Sequence, residues 1–117
     1  MNEKALIGVV GPCKSGKSTL IRGLMENGYE ARQIAQEHSF APSMWQRITN
    51  PDVLIYLHSE YESTVARGLN WLEREYDAQG PRLAHARENA DLEVSTDSIP
   101  PEDVLATILD YLKKNGI

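Results

Sequence analysis

A short glycine-rich stretch near the start of the chain has the residue types and spacing of a phosphate-binding loop. Residues 11–18 match the pattern G-x-x-x-x-G-K-[ST]. Its two glycines allow backbone conformations that a Cβ would obstruct, so the loop amides can point at one phosphate group. In such a loop Lys17 stabilises charge on the β- and γ-phosphates, and the Ser18 hydroxyl ligates Mg²⁺. We therefore predict that a nucleotide binds at Gly11, Pro12, Cys13, Lys14, Ser15, Gly16, Lys17, Ser18 and Thr19.

The segments on either side of this stretch support the prediction. Residues 5–10 are apolar except for one glycine, which is the pattern of a central parallel strand covered on both faces. Residues 17–27 carry apolar side chains at helical spacing, and the free N–H groups at the start of this helix would face the same phosphate. A strand, a loop and a helix in this order are the context that the motif requires.

The rest of the chain alternates between predicted strands and helices. Further strands are expected at residues 29–35, 53–57 and 92–94. The first of these is expected near an edge of the sheet, and the second is expected to be buried on both faces. The alternation predicts one domain over residues 1–117. We expect an α/β protein of three layers, in which a short, about four-stranded parallel sheet lies between helices.

Several helix boundaries follow from capping residues. Ser43 is expected to cap a short helix over residues 43–48. Ser59 and Glu62 fit a capping box that opens a longer helix, which the dipeptide Gly80–Pro81 is expected to end. The apolar face of that helix is predicted to be Tyr61, Val65, Leu69, Leu72 and Tyr76. Two later helices are predicted at residues 82–89 and from Pro101 to Gly116.

Composition and charge limit the classes of partner. The net charge of −5 argues against a general nucleic-acid-binding protein, which usually carries a basic face. The chain contains no apolar run near the roughly 20 residues that a membrane-spanning helix needs, so no membrane partner is expected. Its single cysteine cannot form an internal disulfide, which suits a reducing compartment. We therefore expect a cytoplasmic protein.

Three stretches resemble the nucleoside-monophosphate kinase group of small P-loop kinases, which includes the thymidylate, dephospho-coenzyme A and shikimate kinases. The first stretch is the loop at residues 11–18. The second is residues 50–67, where Asn-Pro-Asp precedes an apolar strand. The third is residues 90–104, which contain the last strand and the start of the last helix. The resemblance implies a P-loop NTPase fold, Mg²⁺ and ATP as cofactors, and a small-molecule phosphate acceptor. The interval from Tyr29 to Asp52 is shorter than the acceptor-binding subdomain of these kinases.

Phosphoryl transfer also needs a carboxylate near Mg²⁺ and cations on the transferred phosphate. Glu37, which follows the second predicted strand, is the best-placed carboxylate, and with Ser18 it is the predicted metal ligand. The alternative is that Glu37 is a solvated loop residue. In the kinases that the chain resembles, lid arginines close over the phosphates. The segment after the third strand offers Arg67, Arg74, Arg82 and Arg87, of which Arg82 and Arg87 are the preferred pair.

The residues after the last strand are the candidates for contact with the base. Thr96, Asp97 and Ser98 are expected to edge a purine, and Asp97 is the predicted cofactor contact. No Asn-Lys-x-Asp stretch is present, so ATP is favoured over GTP. Three interpretations stay open: a kinase-like phosphotransferase with an unknown acceptor, a non-catalytic nucleotide-binding regulatory module, and an NTPase completed by a protein partner. A homodimer that buries the site is compatible with so small a domain.

Overall fold

The computed structural model describes residues 5–68 and 72–117. Within these residues, four strands form one sheet, in which every neighbouring pair is parallel and the order is β2-β1-β3-β4. The strands are β1 Leu6–Val10, β2 Glu30–Gln33, β3 Val53–His58 and β4 Leu92–Ser95. The prediction of an α/β protein with a short four-stranded parallel sheet is confirmed, as are the edge position of β2 and the burial of β3.

Helices cover both faces of this sheet. They are α1 Lys17–Glu26, α2 Tyr61–Ala66, α3 Glu73–Asp77, α4 Gln79–Glu88 and α5 Pro101–Lys114. A 3-10 turn, Gln36–His38, and a π-helical turn, Trp45–Thr49, lie between β2 and β3. None of the helices in residues 5–68 and 72–117 has both the length and the apolar character that crossing a bilayer requires.

The core has two parts because side chains alternate across the strands. One part packs β1, β3 and β4 against α1 and α5, with Ile7 of β1 touching a cluster that includes Leu24 and Ile108. The other part packs the opposite face, including Val10 of β1, against Trp45 of the π-helical turn and against α4. The sheet is therefore the middle of three layers.

The strand order places a crevice at the carboxyl end of β1. The chain passes from β1 to β2 on one side of the sheet, and then returns to β3 and β4 on the other side. In open parallel sheets, ligands bind at the point where the strand order reverses, outside the carboxyl ends of the strands. Residues 11–16 follow β1 at this point, and the segments after β2, β3 and β4 reach the same edge.

The prediction of one long helix after the capping box at Ser59 is wrong. The helix α2 ends at Ala66, and a turn through Gly68, at φ +101°, separates it from α3. The Ser59 hydroxyl does not cap α2. It lies 3.3 Å from Asp97 Oδ1, to which it donates. Leu69, assigned to the apolar face of the predicted helix, lies outside the described residues.

Two further helix boundaries differ from the predictions. Gly80 and Pro81 do not end a helix. They lie in the first turn of α4, where a proline without an N–H group is tolerated. Ser43 is not the N-cap of the π-helical turn, which begins at Trp45: the N-cap residue is Met44, and its side chain makes no capping hydrogen bond. Trp45 is buried in the core.

Candidate nucleotide-binding site

Residues 11–16 connect the carboxyl end of β1 to the N-terminus of α1, and both of the motif's glycines have a structural reason. A Cβ added to Gly11 would lie 2.3 Å from the carbonyl oxygen of Leu57 in β3. Gly16 precedes α1 at φ +102°, in the left-handed region that favours glycine. The loop therefore packs directly on the neighbouring strand and turns sharply into the helix, as the motif predicts.

The side chain of Lys17 folds back under this loop. Its Nζ donates hydrogen bonds to the carbonyl oxygens of Gly11 at 2.8 Å and Pro12 at 3.1 Å, and to Glu37 Oε2 at 2.6 Å. The lysine is 4% exposed and the glutamate 3% exposed, so the two form a buried ion pair. An ammonium group has three donors, and these three contacts use all of them.

Glu37 is held at this position by the 3-10 turn after β2. The neighbouring side chain of Gln36 fixes the turn: its Nε2 donates to the carbonyl oxygens of Ala41 and Arg82, and its Oε1 accepts from the amide of Trp45. Glu37 is therefore buried, and its interpretation as a solvated loop residue is wrong. Glu37 Oε1 is also buried, and among the described residues it has no hydrogen-bond partner.

Ser18 lies at the start of α1, beside the end of β2. Its hydroxyl donates to Gln33 Oε1 at 2.8 Å. Ser18 and Glu37 line the same cavity, together with Lys17 and Gln33. A hydroxyl and a carboxylate are oxygen ligands of the kind that Mg²⁺ prefers, so the donor set suits this cation.

Two of the cavities among the described residues are lined by both the loop and the start of α1. The polar cavity, of about 410 Å³, opens toward β2 and is lined by residues that include Lys17, Ser18, Gln33, Glu37, His38 and Arg67. The apolar cavity, of about 270 Å³, opens toward α5 and is lined by residues that include Thr19, Leu20, Thr96, Ile99, Val104 and Arg67. Gly16, Thr19 and Arg67 belong to both linings, so the cavities meet at the start of α1.

Arg67 is the arginine that the structure brings to the loop. Its guanidinium donates to the carbonyl oxygen of Lys14 at 2.9 Å and to the hydroxyls of Ser59 at 3.2 Å and Thr96 at 3.1 Å. It also donates to the carbonyl oxygen of Thr96. Sequence reasoning ranked this residue below two others, although it ends one of the stretches that carry the kinase resemblance.

The two preferred arginines lie elsewhere. Arg82 donates to the carbonyl oxygen of Glu37 at 3.2 Å and places its guanidinium 4.3 Å from the centre of the Phe40 ring. It therefore supports the backbone of Glu37. Arg87 forms two hydrogen bonds with the carboxylate of Glu93, at 2.8 and 2.9 Å, on the exposed surface. The structure thus gives Arg87 a carboxylate partner.

Asp97 is bound to the protein's own chain. Its Oδ1 accepts from the amide of Glu60 at 2.8 Å, and its Oδ2 accepts from the hydroxyl of Ser95 at 3.1 Å. Burial tends to raise the pKa of Asp97, but hydrogen bonds from the Glu60 amide and from the Ser63 and Ser95 hydroxyls outweigh it. The pKa therefore lies below its ordinary value of 3.8. Thr96, rather than Asp97, lines the apolar cavity.

Three titratable side chains come together at the carboxyl ends of β3 and β4. His58, Glu60 and Asp97 offer ligand atoms within 4.8 Å of one another, and the His58 Nε2 lies 2.8 Å from Glu60 Oε1. Burial, followed by nearby acidic groups such as Glu60, raises the pKa of Tyr76 to about 12.

One loop amide is engaged by α4. The amide of Cys13 donates to Oε1 of the buried Gln79 at 2.9 Å. This contact ties the first turn of α4 to the loop. The backbone amide of Ser15 also bonds within the loop, to the carbonyl oxygen of Pro12 at 3.1 Å. No local sequence pattern indicates the role of Gln79, because the contact joins residues far apart in the chain.

Comparisons of the sequence with models of known protein families and with curated proteins find no match. The function is therefore argued from the loop, the buried ion pair and the two cavities.

Proposed function

We propose that this protein binds a magnesium nucleoside triphosphate, ATP in preference to GTP, on a P-loop NTPase fold. We further propose that it acts as a small-molecule kinase-like phosphotransferase. The observation that carries the proposal is the position of the loop. It follows the central strand at the point where the strand order reverses, and a buried lysine lies beneath it. The polar cavity would hold the phosphates of the nucleotide, and the apolar cavity would hold its base.

The phosphates would bind on the side of the polar cavity. There the N-terminus of α1, whose N-cap Gly16 has no side chain to bond it, would offer its backbone amides, and Lys17 supplies a positive charge. In the transfer step, Lys17 would stabilise the charge on the β- and γ-phosphate oxygens. Arg67, which lines both cavities, is the arginine best placed to contact a phosphate. This assignment replaces Arg82 and Arg87 in that role.

Magnesium would be held by the Ser18 hydroxyl and the Glu37 carboxylate. Both residues line the polar cavity, and the buried Glu37 Oε1 has no partner among residues 5–68 and 72–117. When bound, the cation neutralises charge on the phosphates. A buried carboxylate oxygen without a partner is costly, which makes this oxygen a natural ligand.

The base would bind in the apolar cavity. Leu20, Ile99 and Val104 give this cavity aliphatic walls, and the Thr96 hydroxyl lies at its edge. That hydroxyl is already in contact with the carbonyl oxygen of Ser15 at 2.9 Å. The walls offer stacking and burial for an adenine ring.

A second candidate function is a nucleotide-binding regulatory module, or an NTPase completed by a protein partner. The segment between β2 and β3 favours it. In this structure that segment contains a 3-10 turn and a π-helical turn, and Trp45 packs into the core. These short turns provide no separate lobe to enclose an acceptor. The region that holds the acceptor in the resembled kinases is correspondingly small here.

The fate of the γ-phosphate distinguishes these functions. Radiolabelled ATP with Mg²⁺ would be incubated with the protein alone and with pools of small hydroxyl and phosphate acceptors. A phosphotransferase transfers label to an acceptor in a saturable manner. Release of inorganic phosphate, rising with a protein partner, indicates the NTPase. Tight binding without turnover indicates the module. Failure to bind any nucleotide contradicts the proposal as a whole.

A further inference from the structure

The Lys17–Glu37 pair affects whether the loop binds a polyphosphate alone or only its complex with a divalent cation. Lys17 Nζ donates to Glu37 Oε2 at 2.6 Å and to two loop carbonyl oxygens, so each of its three donors is engaged. A phosphate oxygen can approach Lys17 only by replacing one of these acceptors. The carbonyl oxygens belong to the loop backbone, whereas Glu37 Oε2 belongs to a side chain.

We infer that Glu37 is an internal substitute for a phosphate oxygen, which makes polyphosphate binding depend on a divalent cation. This inference rests on the proposed function and names the ligand form that the site selects. The carboxylate gives Lys17 an anionic partner, as a phosphate would. Binding then becomes an exchange in which Lys17 passes from Glu37 to the phosphate.

The exchange is unfavourable for a metal-free polyphosphate for two reasons. First, Lys17 and Glu37 together are neutral, and the incoming anion meets a buried carboxylate as well as the ammonium group. Secondly, Glu37 displaced from Lys17 would stay buried with only His38 Nε2, 3.9 Å from Oε2, as an ion-pair partner, and its Oε1 makes no hydrogen bond in the described part of the chain.

A divalent cation removes both obstacles. It provides the displaced carboxylate with a new partner and reduces the negative charge of the polyphosphate. Ser18 lines the same cavity and supplies a second oxygen ligand. Glu37 therefore determines specificity: it excludes the metal-free anion and admits the metal complex.

The test compares Glu37→Gln with the parent protein. The amide retains an oxygen that can accept from Lys17 but removes the negative charge. Inorganic pyrophosphate and ATP would each be titrated calorimetrically, once with excess Mg²⁺ and once with a chelator. Glu30→Gln, which makes the same change at an exposed position of β2, is the matched control.

We expect the parent and Glu30→Gln to bind both ligands at least about tenfold more tightly with Mg²⁺ than without. In Glu37→Gln, the metal-free affinity should rise at least about tenfold, so that the ratio approaches one. Should the amide variant prove unstable, Glu37→Met has a similar length and no charge, and the same rise is expected.

Two outcomes contradict different claims. An unchanged magnesium dependence in the Glu37 variants overturns the inference and the assignment of Glu37 as a metal ligand, and leaves nucleotide binding at the loop standing. Absence of pyrophosphate and ATP binding in the parent, with or without Mg²⁺, overturns the proposed function and the inference with it.

Discussion

The two cavities beside the loop are built in different ways. The polar cavity is lined by the loop and by the buried Lys17–Glu37 pair, which joins the start of α1 to the 3-10 turn after β2. The apolar cavity is bounded by α1, by α5 and by Ile99 in the exposed segment before α5. If the protein acts as proposed, buried groups recognise the phosphate, whereas residues nearer the surface recognise the base. Changes on the two sides should therefore affect different ligands.

The largest effect is expected from Lys17→Met. Loss of the ammonium group should weaken binding of Mg-ATP and Mg-pyrophosphate by about 100-fold or more, because charge-assisted hydrogen bonds are lost. It also leaves Glu37 buried without its partner, which should lower the free energy of unfolding by about 3 kcal/mol or more. Calorimetric titration and chemical denaturation measure the two quantities.

A double variant separates these two effects. In Lys17→Met/Glu37→Met no unpaired charge remains, so much of the lost stability should return while the affinity stays low. Recovery of binding in the double variant would show that Lys17 is not a phosphate ligand.

A smaller effect, on both sides of the loop, is expected from Arg67→Ala. Its guanidinium contacts Lys14 and Thr96, and it lines both cavities. Its loss should weaken Mg-ATP and Mg-pyrophosphate alike, by about 2 kcal/mol or roughly 30-fold. Arg67→Lys should not restore the affinity, because an ammonium group cannot reproduce the planar fork.

The control for Arg67 is Arg87→Ala, which removes an exposed pair with Glu93. It should change either affinity by less than about twofold. Equal losses of affinity in Arg67→Ala and Arg87→Ala would show that Arg87 also contacts the ligand.

A change confined to the apolar side is expected to separate ATP from pyrophosphate. Ile99→Asp places a charge at the rim of the apolar cavity and should weaken Mg-ATP by about tenfold. Pyrophosphate has no base, so its affinity should stay within about twofold. Ile48→Asp, at an exposed position of the π-helical turn, is the control and should affect neither ligand. Loss of pyrophosphate binding in Ile99→Asp would contradict the division between the cavities.

The smallest effect concerns stability at low pH. The pKa of Asp97 is lower in the folded protein than its ordinary value of 3.8, so the unfolded chain takes up the proton first as the pH falls. The contribution of Asp97 is therefore present above 3.8 and is lost as the pH falls through the folded pKa. Asp97→Asn should flatten this part of the curve of unfolding free energy against pH. A curve identical to that of the parent would show that these hydrogen bonds do not stabilise the fold.

The parts of the fold that could be predicted are those with a local pattern. The apolar run of β1, the loop glycines and the helical spacing in α1 lie within one short segment, and the structure has the strand, turn and helix in that order. The position of Glu37 at the carboxyl edge also followed from the direction of β2. Its burial did not, because that depends on Gln36 bonding to Arg82, which is 46 residues away in the chain.

The segment after β3 could not be predicted in the same way. Apolar residues at helical spacing indicated one long helix, but α2 ends at Ala66, and Arg67 turns back onto Lys14 and Thr96. Helix α2 ends there because Gly68 has a positive φ and because Arg67 contacts the loop. The spacing of apolar residues contains no information about either feature. The preference for Arg82 and Arg87 rests on a break at Gly80–Pro81, but this dipeptide lies inside α4.

The central claim is that the loop binds a polyphosphate through Lys17. The most direct measurement is calorimetric titration of Mg-ATP into the parent, Lys17→Met and Lys113→Met, the last being an exposed lysine near the end of α5. The account predicts saturable binding by the parent and by Lys113→Met, and its loss in folded Lys17→Met. Equal binding by all three proteins, or no binding by the parent, would contradict it.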